Sequence, residues 1–174
     1  MKSLSMETFP LIVRIAAKTS VAPKELERFI KFATVGAIGA VVDFIVLNIM
    51  KILFERMGLG VGWHIGLDPN QIQLIAANTI SFSTAVISNF TWNRLWTFPE
   101  SRDKPIVPQL LQFATVNVLG LIINTFILVA MDHYLFSQFF DHRLSYNLAK
   151  AFAIGVVLFW NFGINRIWTY RGIE

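Results

Sequence analysis

A ten-residue segment occurs twice in the chain, and it carries the residues best suited to binding chemistry. Asn89–Phe98 reads NFTWNRLWTF and Asn161–Tyr170 reads NFGINRIWTY, with six of the ten positions identical. Arginine binds phosphate through a bidentate fork of N–H groups, and tryptophan and arginine also anchor helices at membrane surfaces. Phosphate capture and anchoring therefore both fit the repeated arginines and tryptophans, whereas anchoring does not account for two asparagines at a fixed spacing in each copy. The candidate binding residues are Asn89, Asn93, Arg94 and Trp96 in the first copy and Asn161, Asn165, Arg166 and Trp168 in the second.

The composition indicates that a membrane positions these segments. The chain is 55% hydrophobic and only 15% charged, whereas a soluble domain usually carries about a quarter charged residues. Four stretches are long enough to cross a bilayer, which requires ~20 mostly apolar residues, and lipid requires each one to be a helix. They are Phe29–Phe54, Asn70–Asn93, Ile106–Met131 and Leu144–Asn165. A soluble all-helical bundle is the alternative.

The repeat extends beyond the two ten-residue segments. Phe32–Phe44 (FATVGAIGAVVDF) aligns with Phe113–Thr125 (FATVNVLGLIINT) at an offset of 81 residues, whereas the later segments are offset by 72. The first hairpin is therefore nine residues longer, and we place the extra length around the glycine-rich loop Glu55–Pro69. The fold predicted is an all-α integral membrane protein with four transmembrane helices built as two parallel two-helix repeats. Duplication retained only for packing is the alternative to a functional repeat.

The predicted division of the chain has three parts: a basic segment 1–28, a first two-helix repeat 29–98 and a second repeat 106–170. Eleven basic residues fall on the side of the termini and the middle loop, and four fall on the other side, which predicts that both termini are cytoplasmic. This bias explains the net charge of +4 without nucleic acid. The basic segment is either an amphipathic surface segment or a basic tail. The absence of cysteine excludes disulfides and cysteine metal sites.

Polar residues inside the predicted spans are further candidates for a substrate path. An intramembrane charge costs about 3 kcal/mol on insertion scales, so such a residue is expected to face the bundle interior or to be paired. The candidates are Asp43, Asn78, Asn117, Asn124 and Lys150. Asp43 shares a helical face with Gly36 and Gly39, where small residues would permit close helix approach. For Asp43 a structural hydrogen bond and a substrate or proton role both remain open, and for Lys150 snorkelling and phosphate attraction do.

FATVGAIG in the first span, the two ten-residue segments and the four-span layout together resemble the GtrA-like family, over about Phe29 to Tyr170. The resemblance implies translocation of a polyprenyl-phosphate-linked monosaccharide, such as undecaprenyl-phosphate glucose, outward across the cytoplasmic (inner) membrane for cell-surface polysaccharide synthesis. No enzymatic activity and no cofactor are expected. The matching motif positions are the eight candidate residues of the repeated segments, and the basic N-terminal segment lies outside the family pattern.

A mechanism consistent with the residues and the resemblance starts with Arg94 or Arg166 attracting the lipid phosphate. The sugar then crosses an asparagine-lined groove while the polyprenyl tail stays in lipid, and Lys150 receives the phosphate on the far side. Two rivals remain: a non-catalytic anchor or regulatory partner of a membrane glycosyltransferase, and a proton-coupled exporter of cationic compounds that depends on Asp43. An enzyme is the least favoured reading, since the sequence has no His pair, no Ser–His–Asp set and no metal cluster. The sequence also has no P-loop, so movement would be downhill or coupled to another gradient. A small four-helix body also fits a homodimer.

Overall fold

The computed structural model describes residues 22–62 and 66–172, and these are helical with short connections and no strand. Within these ranges four long α-helices follow one another: α1 (Pro23–Met57), α2 (Pro69–Trp92), α3 (Ile106–Tyr134) and α4 (His142–Ile164). Short 3₁₀-helices occupy Pro99–Asp103 and Phe136–Gln138. Most of the basic N-terminal segment lies outside the described residues. Its last residues belong to α1, which begins six residues before the predicted span Phe29–Phe54.

Three of these helical stretches are long and apolar enough to cross a membrane, namely Pro23–Met57, Ile106–Gln138 and His142–Thr169. The chain is therefore a multi-pass membrane protein by length and composition. The helix α2 contains no charged residue, yet its many Asn, Gln, Ser and Thr side chains keep it outside this set. The apolar character expected of a span thus holds for three of the four predicted segments.

Local sequence signals set the ends of the first two helices. Pro23 and Pro69 each stand in the first turn, where a missing N–H costs nothing. The carboxylate of Asp68 accepts a hydrogen bond from the Gln71 backbone N–H at 2.9 Å, and the Gln71 side chain accepts one from the Asp68 N–H at 3.1 Å. This capping box fixes the start of α2. The C-cap of α1 is Gly58, with a left-handed φ of 64° that glycine adopts readily.

The chain divides into two compact units, residues 1–99 and 100–174, which we call unit 1 and unit 2. In unit 1 α1 packs against α2, and in unit 2 α3 packs against α4. Matching repeat positions are buried in the first helix of each unit: Phe32 and Val35 in α1, and Phe113 and Val116 in α3. Many large apolar side chains on the other faces are exposed, as expected of a surface that contacts lipid.

A glycine brings the two helices of each unit into close contact. A Cβ atom added to Gly39 would overlap the amide of Asn89, and one added to Gly120 would lie 2.6 Å from Oδ1 of Asn161. The predicted close approach thus holds at Gly39. It is wrong at Gly36, which is exposed and has open space around it.

Each unit ends its second helix in a π-helical turn. The helix α2 passes directly into the π-turn Asn93–Thr97, and α4 passes into the π-turn Asn165–Thr169. The backbone N–H of Phe98 donates to the carbonyl of Asn93 at 2.7 Å, and that of Tyr170 donates to Asn165 at 2.8 Å. Both bonds span five residues, which is the π-helical spacing. The chain thus leaves the helix at the same position of both repeated segments.

Candidate functional site

In unit 2 the asparagine and threonine of the repeated segment hold the π-turn together. Asn165 is fully buried, and its Oδ1 accepts a hydrogen bond from the hydroxyl of Thr169 at 2.8 Å. Its amide nitrogen donates to the carbonyl of Asn161 at 2.8 Å. From α3, the amide nitrogen of Gln109 donates to the carbonyl of Thr169 at 3.3 Å. These bonds satisfy the buried polar groups of the turn and tie it to α3.

The matching pair in unit 1 does not form that bond. Asn93 and Thr97 are only 1% and 2% exposed, yet Asn93 Oδ1 and Thr97 Oγ1 have no hydrogen-bond partner among the residues that the structure describes. A buried polar atom without a partner costs about 1–3 kcal/mol. The asparagine and threonine side chains are therefore hydrogen-bonded to each other in unit 2 but not in unit 1, although the residue types are identical.

Two basic residues of α1 contact the repeated segment of unit 1. Arg28 is only 4% exposed, pairs with Glu25 at 2.7 Å, and lies 5.7 Å from the ring centroid of Phe98. One turn later, Lys31 lies 5.7 Å from the ring of Trp96. Sequence reasoning left Arg28 in the basic N-terminal segment and assigned no role to Lys31. The repeat offset could have identified both, since it pairs them with Gln109 and Gln112 of unit 2.

The repeated arginines differ in exposure, whereas the tryptophans do not. Arg94 is 8% exposed, and Arg166 is only partly buried. Trp96 and Trp168 are both exposed, as suits rings at the headgroup level of a bilayer. Each unit thus places an arginine inside its π-turn and an exposed indole two residues later. Of the two guanidinium groups, that of Arg166 is the more accessible to an anionic headgroup.

The first asparagine of each repeated segment sits against the glycine of the facing helix. The Oδ1 atoms of Asn89 and Asn161 are buried and have no hydrogen-bond partner among the described residues. The same is true of one carboxylate oxygen of Asp43, which follows Gly39 by one helical turn on α1. Each unit therefore has, beside a glycine, an amide oxygen with no hydrogen-bond partner among the described residues. Unit 1 also has a carboxylate oxygen of this kind, from Asp43.

The remaining candidates do not join these groups. Asn78 is exposed on α2, and Lys150 is exposed on α4 with its ammonium 6.0 Å from the ring of Tyr146. The amide of Asn117 donates to the carbonyl of Phe113 in its own helix at 2.8 Å. Asn124 is half-buried. The exposed ammonium of Lys150 fits the snorkelling alternative, and roles of these four residues in binding stay predictions.

Because the Asn–Thr hydrogen bond forms in unit 2 and not in unit 1, we expect the same substitution to change the free energy of unfolding differently in the two units. Thr169→Val removes the hydroxyl that satisfies Asn165, so we expect it to lower the free energy of unfolding by about 1–3 kcal/mol. Thr97→Val replaces a buried hydroxyl that makes no bond, so we expect no loss of stability and up to about 1 kcal/mol of gain. Thermal unfolding of both variants in nanodiscs measures the difference. An equal loss in both would show that Asn93 and Thr97 also form the bond.

These features define a class: a multi-pass helical membrane protein in which each of two compact units carries an arginine-bearing π-turn. The chain matches the GtrA/DPMS transmembrane domain family over residues 31–170 and belongs to that family. The resemblance seen in the sequence is thereby confirmed. The chain is also similar to a dolichol-phosphate mannosyltransferase of Pyrococcus furiosus, with 29% identity over 128 residues that cover 71% of this chain. It spans 32% of that relative's length.

Proposed function

We propose that the protein translocates a polyprenyl-phosphate-linked monosaccharide across the cytoplasmic membrane, from the cytoplasmic leaflet outward. The observation that carries this proposal is the family match over residues 31–170, which contains both arginine-bearing π-turns. The name of the relative from Pyrococcus furiosus, dolichol-phosphate mannosyltransferase, joins a polyprenyl phosphate with a sugar. An arginine at the end of a helix suits the phosphate of such a lipid.

The architecture that we propose has four spans in two parallel repeats, with both termini on the cytoplasmic side. The helix α2 is uncharged and has the length of a span, and its polar side chains are compatible with a bilayer where they face α1. The matched glycine contacts and the matched π-turns support a duplicated two-helix unit. In this topology both arginines lie at the cytoplasmic surface.

The proposed mechanism assigns phosphate capture to Arg94 and Arg166 and sugar contacts to the asparagines. The uncommitted amide oxygens of Asn89 and Asn161 would accept hydrogen bonds from sugar hydroxyls next to the captured phosphate. The polyprenyl tail stays in lipid throughout. Movement is either downhill or coupled to another gradient, for which Asp43 is the candidate proton carrier. The protein itself forms and breaks no covalent bond in this scheme.

A second function is membrane anchoring or regulation of a glycosyltransferase. The observation that favours it is the length of the transferase relative, of which this chain matches about a third. The same family unit can therefore stand beside a catalytic part, and a separate partner enzyme would restore that arrangement. A homodimer fits this function as well as translocation. Under this reading, the asparagines beside the glycines tolerate alanine, whereas a lipid-facing helix surface does not.

The test is lipid translocation by the purified full chain in proteoliposomes. A labelled polyprenyl-phosphate glucose and its mannose counterpart would be placed in one leaflet, and appearance in the other would be followed over time. Movement above that in protein-free vesicles of equal composition is the expected result. No movement of either lipid by well-folded protein would favour the anchoring function. Co-purification with a membrane glycosyltransferase would then be the next observation to seek.

A further inference from the structure

An open groove with a volume of about 310 Å³ lies in unit 1 at the end of the hairpin that is remote from the π-turn, and four of its five lining side chains are exposed. The last turns of α1 and the first two turns of α2 line it, with four polar side chains and one apolar side chain. These are Lys51, Glu55, Asn70, Gln73 and Leu74. We call it the hairpin pocket. None of its residues belongs to the repeated segments or to the candidate substrate path described above.

The polar side chains of the hairpin pocket are not paired with one another. Lys51 and Glu55 lie one helical turn apart on α1, and no ion pair joins them in the described part of the chain. The amide nitrogen of Gln73 donates to the carbonyl of Leu59 at 3.1 Å, which fixes the side chain and leaves its carbonyl oxygen for other partners. The pocket thus offers an ammonium, a carboxylate and amide groups to a ligand.

At the matching positions of unit 2, a direct hydrogen bond joins the two helices. By the repeat offsets, Lys51 corresponds to Asp132 and Gln73 corresponds to Ser145. The hydroxyl of Ser145 donates to the carboxylate of Asp132, and this bond joins α4 to α3 directly. Leu74 corresponds to the much larger Tyr146. The side chains that bond to each other in unit 2 are thus replaced in unit 1 by side chains that line the hairpin pocket. The hairpin of unit 1 is also nine residues longer.

We propose that the hairpin pocket binds the sugar headgroup of a polyprenyl-linked saccharide. The opposite charges of Lys51 and Glu55 cancel, so the site suits a neutral, hydroxyl-rich group better than a phosphate, which Glu55 would repel. Amide groups supply both donors and acceptors to hydroxyls, and Leu74 supplies an apolar wall for the C–H face of a sugar ring. The volume is near the lower end of the ~300–1,000 Å³ range of ligand pockets, which fits a monosaccharide.

This inference rests on the proposed function, in which the arginines stand at the cytoplasmic surface. The hairpin pocket lies at the other end of unit 1 and would hold the sugar on the release side. Phosphate capture and sugar binding would then occur at opposite ends of α2. A sugar-bearing lipid would contact both ends in turn, whereas a bare polyprenyl phosphate would have no group that the pocket recognises.

The experiment uses the absence of cysteine from the chain. A Leu74→Cys variant in proteoliposomes would be treated with a maleimide, and its modification rate would be measured with polyprenyl-phosphate glucose, polyprenyl-phosphate mannose, bare polyprenyl phosphate, or free glucose and mannose. We expect a sugar-bearing lipid at four times its Kd to slow modification about fivefold. Bare polyprenyl phosphate is expected to have no effect. Tyr146→Cys, at the matching position of unit 2, is the control and should not be protected.

Adding Glu55→Ala to the Leu74→Cys variant is expected to abolish the protection, since it removes a hydroxyl acceptor and the charge balance of the pocket. Protection by free sugars as well as by the lipid would make the sugar alone sufficient for binding. Equal protection by bare polyprenyl phosphate would overturn the inference, because the pocket would then recognise the lipid phosphate.

Translocation measured on the same vesicles separates the two proposals. Movement of the sugar lipid with no protection at residue 74 and no effect of Glu55→Ala would overturn the hairpin pocket and leave the proposed function standing. Protection without movement would do the reverse. Neither protection nor movement by folded protein would overturn both.

Discussion

Replacing Arg166 with alanine is expected to slow translocation of a polyprenyl-phosphate sugar by about 10- to 100-fold, because a charge-assisted hydrogen bond contributes about 1.5–3 kcal/mol. Arg166 stands in the π-turn of unit 2, is the more exposed of the two repeated arginines, and is followed by the exposed indole of Trp168. An anion arriving from the headgroup region reaches this guanidinium most readily. Initial rates in proteoliposomes, measured below saturating lipid, report the loss.

Two further variants separate phosphate capture from anchoring. Arg166→Lys keeps the charge but loses the bidentate fork, so its rate should fall between those of the wild type and Arg166→Ala. Arg94→Ala tests the buried counterpart in unit 1 and should also lose translocation, with a larger loss of thermal stability because Arg94 is only 8% exposed. Full rates in both alanine variants would contradict phosphate capture at the repeated segments and favour anchoring.

The positions of the long helices could be read from the sequence because lipid imposes a simple constraint. Uncharged runs near 20 residues predict helices, and each of the four predicted segments lies within or nearly within a helix of the structure. Their ends were less predictable. The helix α1 begins at Pro23 rather than at Phe29, and its charged first turns are accommodated by ion pairs of Arg28 with Glu25 and of Lys31 with Glu27.

The π-turns could not be predicted from residue types alone. A π-turn differs from an α-helix by one additional residue per turn, and no single residue of NRLWT or NRIWT requires it. The repeat did predict that the two segments adopt the same backbone conformation, and both form a π-turn. It could not indicate that the Asn165–Thr169 bond forms while Asn93 and Thr97 stay apart, because both pairs have the same letters.

The residues of α1 and α3 that contact the two turns also differ between the units. Gln109 is neutral and donates to the carbonyl of Thr169, which holds the second turn against α3. Its counterpart Arg28 lies over the ring of Phe98 and pairs with Glu25. A cation on an aromatic ring contributes about 0.5–2 kcal/mol, comparable to the hydrogen bond that unit 1 lacks. The two units thus stabilise the same backbone with different chemistry.

The sequence indicated which residues to consider for a binding site, but it did not indicate their geometry, and their role in binding stays a prediction. Helical spacing places Asn89 and Asn93 one turn apart. It does not predict that Asn93 is buried in the π-turn whereas Asn89 contacts Gly39. Asn78 was expected on a polar interior face and is exposed, whereas the exposure of Lys150 fits the snorkelling alternative. Side-chain burial in a membrane protein depends on which helix face meets a neighbour, and an apolar sequence gives little contrast between faces.

Gly39→Ala is expected to reduce translocation about tenfold while leaving the fold intact. The added methyl group would occupy the space of the Asn89 amide, so that Asn89 must turn away from its position. Turning costs the fold little, because Asn89 Oδ1 has no hydrogen-bond partner among the described residues and alanine is about 1 kcal/mol better than glycine inside a helix. A sugar hydroxyl bonded to that oxygen would be lost, and about 1.4 kcal/mol corresponds to a tenfold change.

The same helix supplies the matched control. Gly36→Ala adds the same methyl group where no atom lies within 4 Å, so its rate and its melting temperature should equal those of the wild type or slightly exceed them. Gly120→Ala, which displaces Asn161, should reproduce the loss in unit 2. Melting temperatures decide between two causes, because overpacking that forces the helices apart would cost about 1–3 kcal/mol and lower them, whereas displacement of the amide alone would not. Unchanged translocation in Gly39→Ala with Asn89 displaced would remove that amide from the substrate path.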